Sequence, residues 1–133
     1  MCGRVKISGL TTEPGQNAVI KTSKGYEIKT WRLEGMYNAR SENLKSTWKE
    51  YERSSLAVDG FYEHTALIKR KDNKQLYLAC INSNLGFMVV TRNAVGNIKK
   101  VHHRMAVAVE DPDLWIHTGM IIEIDYKKLI MTA

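Results

Sequence analysis

The residues best suited to chemistry stand at the start of the chain, where Cys2 directly follows the initiator methionine. Removal of Met1 would leave Cys2 with a free α-amine beside its thiol. The two groups have reference pKa values of about 7.7–8.0 and about 8.5, so both are partly nucleophilic near neutral pH. The amine of such an aminothiol can condense with an aldehyde to an imine, on which the thiol closes to a five-membered thiazolidine ring. By itself, a cysteine at a chain end indicates no function, because termini are commonly frayed.

Three further segments place reactive side chains beside turns or strand ends. They are Asn38-Ala39-Arg40-Ser41-Glu42, Asp59-Gly60-Phe61-Tyr62-Glu63 and His102-His103-Arg104-Met105. Each has an ordinary explanation on its own. An asparagine before a helix often caps it, a glutamate after two aromatic residues is usually exposed on a strand, and paired histidines usually face solvent. Only their joint occurrence with Cys2 indicates a site.

The elements that must position these segments are mostly short strands. Alternating or continuous apolar runs between turn residues predict strands, and these runs are 18–20, 26–33, 55–58, 87–91 and 120–124. Two further runs, 65–70 and 75–82, flank a polar stretch and predict a hairpin. The strand signals therefore extend over most of the chain.

Helical signals are fewer. Leu44, Trp48 and Tyr51 lie at helical spacing and predict an α-helix over 41–53 with Ser41 as its cap, whereas 127–133 is predicted to be a tail. A proline early in a turn at Asp111-Pro112-Asp113 predicts a second, shorter helix. Many short strands with few helices predict an α+β domain dominated by antiparallel sheet, and residues 1–133 are expected to form one domain.

The composition is that of a basic globular domain. Apolar residues make up 44% of the chain and charged residues 26%, which are ordinary fractions. Twenty lysines and arginines exceed 14 acidic residues, for a net charge of +6. This balance suits a polyanion binder, although a solvated cationic surface has the same composition. No apolar run approaches the roughly 20 residues that span a bilayer, and no secretory signal begins the chain, which favours the cytosol.

The second cysteine and the histidines predict no further chemistry. Cys80 lies in the apolar run 76–81 and is expected to be a small buried core residue. The chain has no CxxC motif, and His102 and His103 are adjacent rather than three or four residues apart. We therefore expect no metal site.

Together and in this order, the four reactive segments resemble the SRAP family (SOS response-associated peptidase, also called abasic site processing protein). The family's signatures are an N-terminal MCGR, an NAR-x-E segment, a glycine–aromatic–aromatic–glutamate element and an H-x-R-M-P element. The chain has MCGR at its start, NARSE at 38–42, DGFYE at 59–63 and HHRMA at 102–106. The resemblance extends from Met1 to about Trp115 and implies a barrel-like, mainly antiparallel sheet with a few short helices.

The chain also departs from the family pattern. Ala106 stands where proline is usual, and His64 stands where tryptophan is common. Only Trp31 remains of a tryptophan-rich segment, and the usual C-terminal segment is largely missing. These differences indicate a short, C-terminally shortened member of the kind that a phage could carry, and they affect the expected DNA-stacking surface more than the reactive centre.

The resemblance implies a protein that recognises abasic sites in single-stranded DNA and shields them by linking to them covalently through the Cys2 aminothiol. The catalytic residues that it implies are Cys2, Asn38, Glu63 and His102, and the DNA-binding residues are Gly3, Arg4, Arg40 and Arg104. No cofactor or metal is implied, and we expect a monomer that associates with the nucleoid through DNA.

Each implied catalytic residue has a role that suits its chemistry. Glu63 would be a general acid/base whose pKa is raised by burial against Phe61 and Tyr62. His102 would polarise or protonate the sugar oxygen as the abasic deoxyribose opens. Asn38 would orient the Cys2 amine or the sugar. The arginines would hold the flanking phosphates without reading sequence.

The resemblance implies an enzyme with lyase-like crosslinking activity and a possible autocatalytic peptidase activity. The peptidase activity of the family name refers to exposing the cysteine. Only Met1 precedes Cys2 here, so a host methionine aminopeptidase or self-cleavage could expose it.

Two alternatives remain open on the sequence. The first is a non-covalent single-stranded DNA-binding module in which Cys2 is inert. The positive net charge of the chain alone would support salt-dependent binding. The second is an N-terminal-cysteine amidohydrolase of the amidotransferase type, which also begins with Met-Cys-Gly. No downstream motif of that second class is visible in the chain.

Overall fold

Short strands dominate the computed structural model, which describes residues 3–132 and leaves Met1, Cys2 and Ala133 outside. The strands are β1 (Arg4–Ile7), β2 (Leu10–Thr12), β3 (Asn17–Thr22), β4 (Gly25–Thr30), β5 (Asn38–Arg40), β6 (Glu52–Val58), β7 (Gly60–Glu63), β8 (Ala66–Arg70), β9 (Leu76–Ser83), β10 (Gly86–Asn93), β11 (Arg104–Ala106) and β12 (Leu129–Thr132). One α-helix, α1 (Pro112–Thr118), and three 3₁₀ turns, Ser41–Asn43, Gly96–Lys100 and Tyr126–Lys128, complete the regular structure within 3–132.

The strands form two sheets. The smaller sheet has the order β12-β8-β7-β1-β2, and the larger has the order β11-β10-β9-β6-β3-β4, with β5 added in parallel beside β10. All other pairings are antiparallel, which confirms the predicted mainly antiparallel α+β fold. The expected barrel-like closure is not confirmed, because neither sheet closes on itself among the described strands.

The central strands are buried on both faces, which explains their continuous apolar sequences. Along β10, Phe87 and Val89 pack into a core shared with the smaller sheet, whereas Met88 and Val90 pack into a second core. That second core also contains Trp115 of α1. Each core forms because side chains alternate across a strand, so a run such as 87–91 supplies both.

Several local predictions are wrong, and the first two concern 41–53 and the strands β8 and β9. The stretch 41–53 is not an α-helix, because only Ser41–Asn43 form a 3₁₀ turn and β6 begins at Glu52. β6 pairs along its whole length with β9, so the last two residues of the predicted helix belong to a strand. The strands β8 and β9 are not a hairpin, since β8 pairs with β7 and β12, whereas β9 pairs with β6 and β10.

Trp48 and Cys80 are nevertheless buried, as expected. Within residues 3–132, no helix has the length and apolar composition that a membrane span requires.

Candidate active site

A groove of about 500 Å³ opens beside the N-terminal end of β1. Its lining residues come from five parts of the chain and are Gly3, Arg4, Glu13, Pro14, Tyr37, Tyr62, His64 and His102. Cys2, the predicted nucleophile, lies outside the described residues, but one peptide bond joins it to Gly3. The groove is therefore the candidate site, and the positions of the predicted site residues are given relative to it.

One wall of the groove is the antiparallel pair β1–β7, in which Arg4 stands opposite Tyr62. The Arg4 guanidinium lies over the Tyr62 ring, 4.5 Å from its centroid, and Nη2 donates a hydrogen bond of 3.3 Å to the His64 carbonyl oxygen. Gly60 lets β7 lie close against β8, because a Cβ at that position would come within 2.6 Å of the Ile68 carbonyl oxygen. This explains why the turn before Glu63 needs a glycine.

Glu63 is the last residue of β7 and lies between Tyr62 and His64, which both line the groove. Its side chain is fully buried, with 0% of the residue exposed. Burial raises the pKa of Glu63 from 4.5 to about 7, because a desolvated carboxylate is disfavoured. The burial that was expected for this carboxyl group is therefore present, and the raised pKa is in the expected direction. A carboxyl group with this pKa is able to give and take a proton near neutral pH.

Asn38 begins β5 and directly follows Tyr37, which lines the groove. The backbone is fixed here, because the Tyr37 carbonyl oxygen accepts hydrogen bonds from Trp31 Nε1 at 2.9 Å and from the Val89 amide at 3.1 Å. Trp31 is fully buried and stacks on Phe87 at a centroid distance of 6.1 Å. Trp31 therefore belongs to the core and supports the Asn38 segment.

His102 lies half-buried between the 3₁₀ turn Gly96–Lys100 and β11. Its Nδ1 atom accepts a hydrogen bond of 3.0 Å from the Arg104 backbone amide. This bond favours the neutral form of the ring that carries its proton on Nε2. Burial lowers the pKa of His102, and the charges of His103 and His64 lower it further. His103 stacks on His102 with ring centroids 4.4 Å apart.

The two remaining arginines differ sharply in environment. Arg40, at the end of β5, is exposed. Arg104 is 4% exposed, and its guanidinium donates hydrogen bonds to Glu42, Asn93 and Thr91. A phosphate could reach this guanidinium only by displacing Glu42. We therefore do not expect Arg104 to bind a phosphate.

Strand β10 brings the 38–42 and 102–106 motifs together, because it pairs with the strand of each. Its residue Thr91 pairs with Arg40 of β5 on one side and with Ala106 of β11 on the other. The 38–42 and 102–106 segments therefore lie beside the same strand, while β7 and β1 bring Glu63 and Gly3 to the groove.

The groove residues Tyr37 and His64 were not predicted to belong to the site, and neither was Glu42, the ion-pair partner of Arg104. Tyr37 precedes the NARSE segment and His64 follows DGFYE, so position next to a motif was the available signal. Among residues 3–132, no group of three or more His, Cys, Asp or Glu side chains could hold a metal ion.

The fold and groove define a two-sheet α+β protein with a buried acid and a neutral histidine close to its N-terminus. The family model for SOS response associated peptidase (SRAP) matches residues 17–121. This span covers most of the chain and includes Asn38, Glu63 and His102, so the protein belongs to the SRAP family. Membership associates it with the SOS response and hence with DNA damage.

Solved structures support the same fold. A structural genomics protein from Bordetella bronchiseptica has a TM-score of 0.77 at 14% identity, over 91% of this chain and 85% of the other. A structural genomics protein from Bacteroides thetaiotaomicron has a TM-score of 0.71 at 16% identity, over 91% and 75% of the two chains. No curated protein matches the sequence. At these identities, the likeness concerns the fold alone.

Proposed function

We propose that the protein captures abasic sites in single-stranded DNA by forming a covalent bond through Cys2. The observation that carries this proposal is the fully buried Glu63, whose pKa is raised to about 7 beside the groove that Gly3 lines. A proton-transferring carboxyl group thus lies close to where the chain's terminal aminothiol is attached. SRAP membership and the Met-Cys-Gly-Arg start support the same chemistry.

The overall reaction is a condensation of the aminothiol with an aldehyde, and it releases one water. The abasic deoxyribose opens to an aldehyde, and the Cys2 α-amine attacks the aldehyde carbon to give a carbinolamine. Loss of water gives an imine. The Cys2 sulfur then bonds to the imine carbon, the nitrogen gains a proton, and the product is a thiazolidine plus one water. The ring would make the link more persistent than a plain imine, which hydrolyses.

Glu63, His102 and Asn38 would each have a different role in this reaction. The protonated form of Glu63 would donate to the departing hydroxyl of the carbinolamine, and its carboxylate form would accept a proton from the attacking amine. The neutral His102 ring would donate a hydrogen bond from Nε2 to the sugar ring oxygen and polarise the breaking C–O bond, since its Nδ1 is already an acceptor. The Asn38 amide would orient the amine or the sugar without a change of charge.

Flanking DNA would be held by charge rather than by base recognition. Arg4 lines the groove and Arg40 is exposed, so both could pair with phosphates. The net charge of +6 adds attraction to any single strand. Binding of this kind weakens with salt and does not depend strongly on sequence.

The test is adduct formation with a single-stranded oligonucleotide that carries one abasic site. We expect wild-type protein to give a product that survives a denaturing gel, and Cys2→Ala protein to give none. Cys80→Ala is the matched control, because Cys80 is the other cysteine and is fully buried in the core. This control should form as much adduct as wild type. Intact-mass measurement should show that the reactive protein has lost Met1.

Two outcomes would contradict the proposal. Equal adduct from Cys2→Ala protein would exclude the aminothiol mechanism. Equal binding of abasic and intact strands, without a denaturant-stable product, would favour the non-covalent DNA-binding module. Release of ammonia from glutamine would instead support the amidohydrolase alternative.

A further inference from the structure

The buried guanidinium of Arg104, the first residue of β11, makes hydrogen bonds to several residues of the larger sheet and its neighbouring turn. Nη1 donates to Glu42 Oε2 at 2.7 Å and to Asn93 Oδ1 at 2.8 Å. Nη2 donates to Glu42 Oε1 at 3.0 Å, and to the carbonyl oxygen and Oγ1 of Thr91 at 3.0 and 3.1 Å. Two guanidinium nitrogens therefore contact three residues, a geometry for which the planar fork of arginine is suited and the single ammonium of lysine is not.

These contacts cross the larger sheet from one motif to the other. Glu42 lies in the 3₁₀ turn that directly follows β5, whereas Thr91 and Asn93 belong to β10. Because β10 lies between β5 and β11, the guanidinium joins both neighbours of that strand. The hydrogen bonds from Arg104 lower the pKa of Glu42 to about 2, so this ion pair is present at every physiological pH.

The backbone of the same arginine controls the orientation of His102. The Arg104 amide donates to His102 Nδ1 at 3.0 Å, and the Arg104 carbonyl oxygen lies 3.3 Å from the same nitrogen. Since an amide N–H can only donate, it selects the ring form in which Nδ1 is an acceptor. Any movement of the start of β11 would therefore also release the histidine.

We propose that Arg104 and Glu42 are positioning residues: their ion pair joins the Asn38 segment to the His102 segment and fixes the His102 ring with its proton on Nε2. This proposal rests on the proposed function for its effect on rate. It does not rest on that function for its effect on the histidine. Arg104 would then contact neither the sugar nor the phosphates.

The competing role for Arg104 is phosphate binding, and the two roles have different consequences. A phosphate ligand contributes one released counterion, so its loss lowers the salt dependence of DNA affinity by about one in the logarithmic slope. A positioning residue leaves affinity and slope unchanged and lowers the rate of the chemical step. A misplacement of about 1 Å caused by a substitution away from the reacting atoms can cost about 100-fold in rate.

The variant for the test is Glu42→Gln, because the Glu42 side chain is 48% exposed and its amide replacement can be hydrated without disturbing the core. Asp72→Asn is the matched control, since Asp72 makes the same two-bond contact with Arg70, at 2.9 and 2.8 Å, in the turn after β8. Proton–nitrogen spectra of the His102 ring report its tautomer directly, and crosslinking rate and DNA affinity are measured on the same samples.

We expect wild type and Asp72→Asn to show the Nε2-protonated ring, and Glu42→Gln to show a mixture of tautomers. Crosslinking by Glu42→Gln should slow by about 10–100-fold with unchanged affinity for an intact single strand. An unchanged tautomer in Glu42→Gln, or a mixed tautomer with an unchanged rate, would overturn the proposal. If wild type forms no adduct, the proposed function fails while the spectra still decide the tautomer claim.

Arg104→Met supplies the second measurement, because it removes the charge as Arg40→Met does. Arg104→Met should leave the salt slope as in wild type, whereas Arg40→Met should lower the slope by about one. If Arg104→Met lowered the slope as much as Arg40→Met and left the His102 tautomer unchanged, Arg104 would be a phosphate ligand. That result would refute the positioning role.

Discussion

Glu63→Gln should make the protein more stable at alkaline pH and much slower at capturing an abasic site. The carboxyl group is fully buried, and burial raises its pKa from 4.5 to about 7. A difference of one in pKa corresponds to about 1.4 kcal/mol. Keeping the charged form in the native state therefore costs about 3 kcal/mol of unfolding free energy, which a neutral glutamine of the same shape would avoid.

The sign of the pH dependence follows from proton binding. Between about pH 4.5 and pH 7, Glu63 of the unfolded chain has lost its proton while that of the native protein retains it. The native state thus binds more protons, and its stability falls as pH rises through this window. The stability of Glu63→Gln lacks this component. We expect the two proteins to be similarly stable at pH 4.5 and to differ by up to about 3 kcal/mol at pH 8.5.

Urea unfolding at several pH values measures this difference, and effects of all other titrating groups cancel between the two proteins. Glu50→Gln, at an exposed position, is the control and should match wild type at each pH. A stability difference between Glu63→Gln and wild type that did not change from pH 4.5 to pH 8.5 would refute the argument from burial.

The same substitution tests the chemistry. Removing a positioned general acid/base typically costs about 10²–10⁴ in rate. We therefore expect adduct formation by Glu63→Gln to be slower by that factor, and the wild-type rate profile to show a transition near pH 7 that the variant lacks. A glutamine variant that kept both the rate and the transition would show that Glu63 transfers no proton in the rate-limiting step.

Two further predictions concern the core. The Cys80 thiol should resist iodoacetamide in folded Cys2→Ala protein and react only on unfolding, because burial raises its pKa above the ordinary value and excludes the reagent; rapid labelling of the folded protein would contradict this. Trp31→Ala should lower the unfolding free energy by about 3–5 kcal/mol, through a cavity against Phe87 and loss of the bond to the Tyr37 carbonyl oxygen. Trp31→Phe should leave single-strand affinity unchanged, since the indole is fully buried, and a lower affinity would indicate base stacking instead.

The sequence patterns predicted the elements whose signals are local. The apolar run 87–91 lies in β10, and Asp111-Pro112 begins α1, where the Asp111 carboxylate accepts a hydrogen bond from the Leu114 amide. In both cases the residues that set the structure are neighbours in the chain. A buried strand needs only apolar side chains on both faces, and a helix start needs only a cap and a suitable first turn.

Predictions failed where long-range pairing decides. The polar turn between β8 and β9 was recognised, but β8 pairs within the smaller sheet and β9 within the larger, so the turn crosses between the sheets. Residues 120–124 were predicted to be the last strand, yet only Glu123 makes a β-bridge there, to Val109. The predicted tail instead contains β12, which pairs with β8. No local pattern specifies which of several apolar runs will pair.

In the candidate site, too, the residue types could be predicted from the sequence, whereas their bonding partners could not. Motif matching placed Arg40 and Arg104 in one group of phosphate ligands, because both are arginines beside reactive residues. Their difference depends on Glu42, which is 62 residues from Arg104 and reaches it only because β10 separates β5 from β11. Burial then determines the consequence. An exposed guanidinium is available to a phosphate, whereas a buried one that is bonded to a carboxylate has already exchanged its hydration for that partner. The charge of Arg104 should therefore act on the geometry of His102, and that of Arg40 on the affinity for DNA.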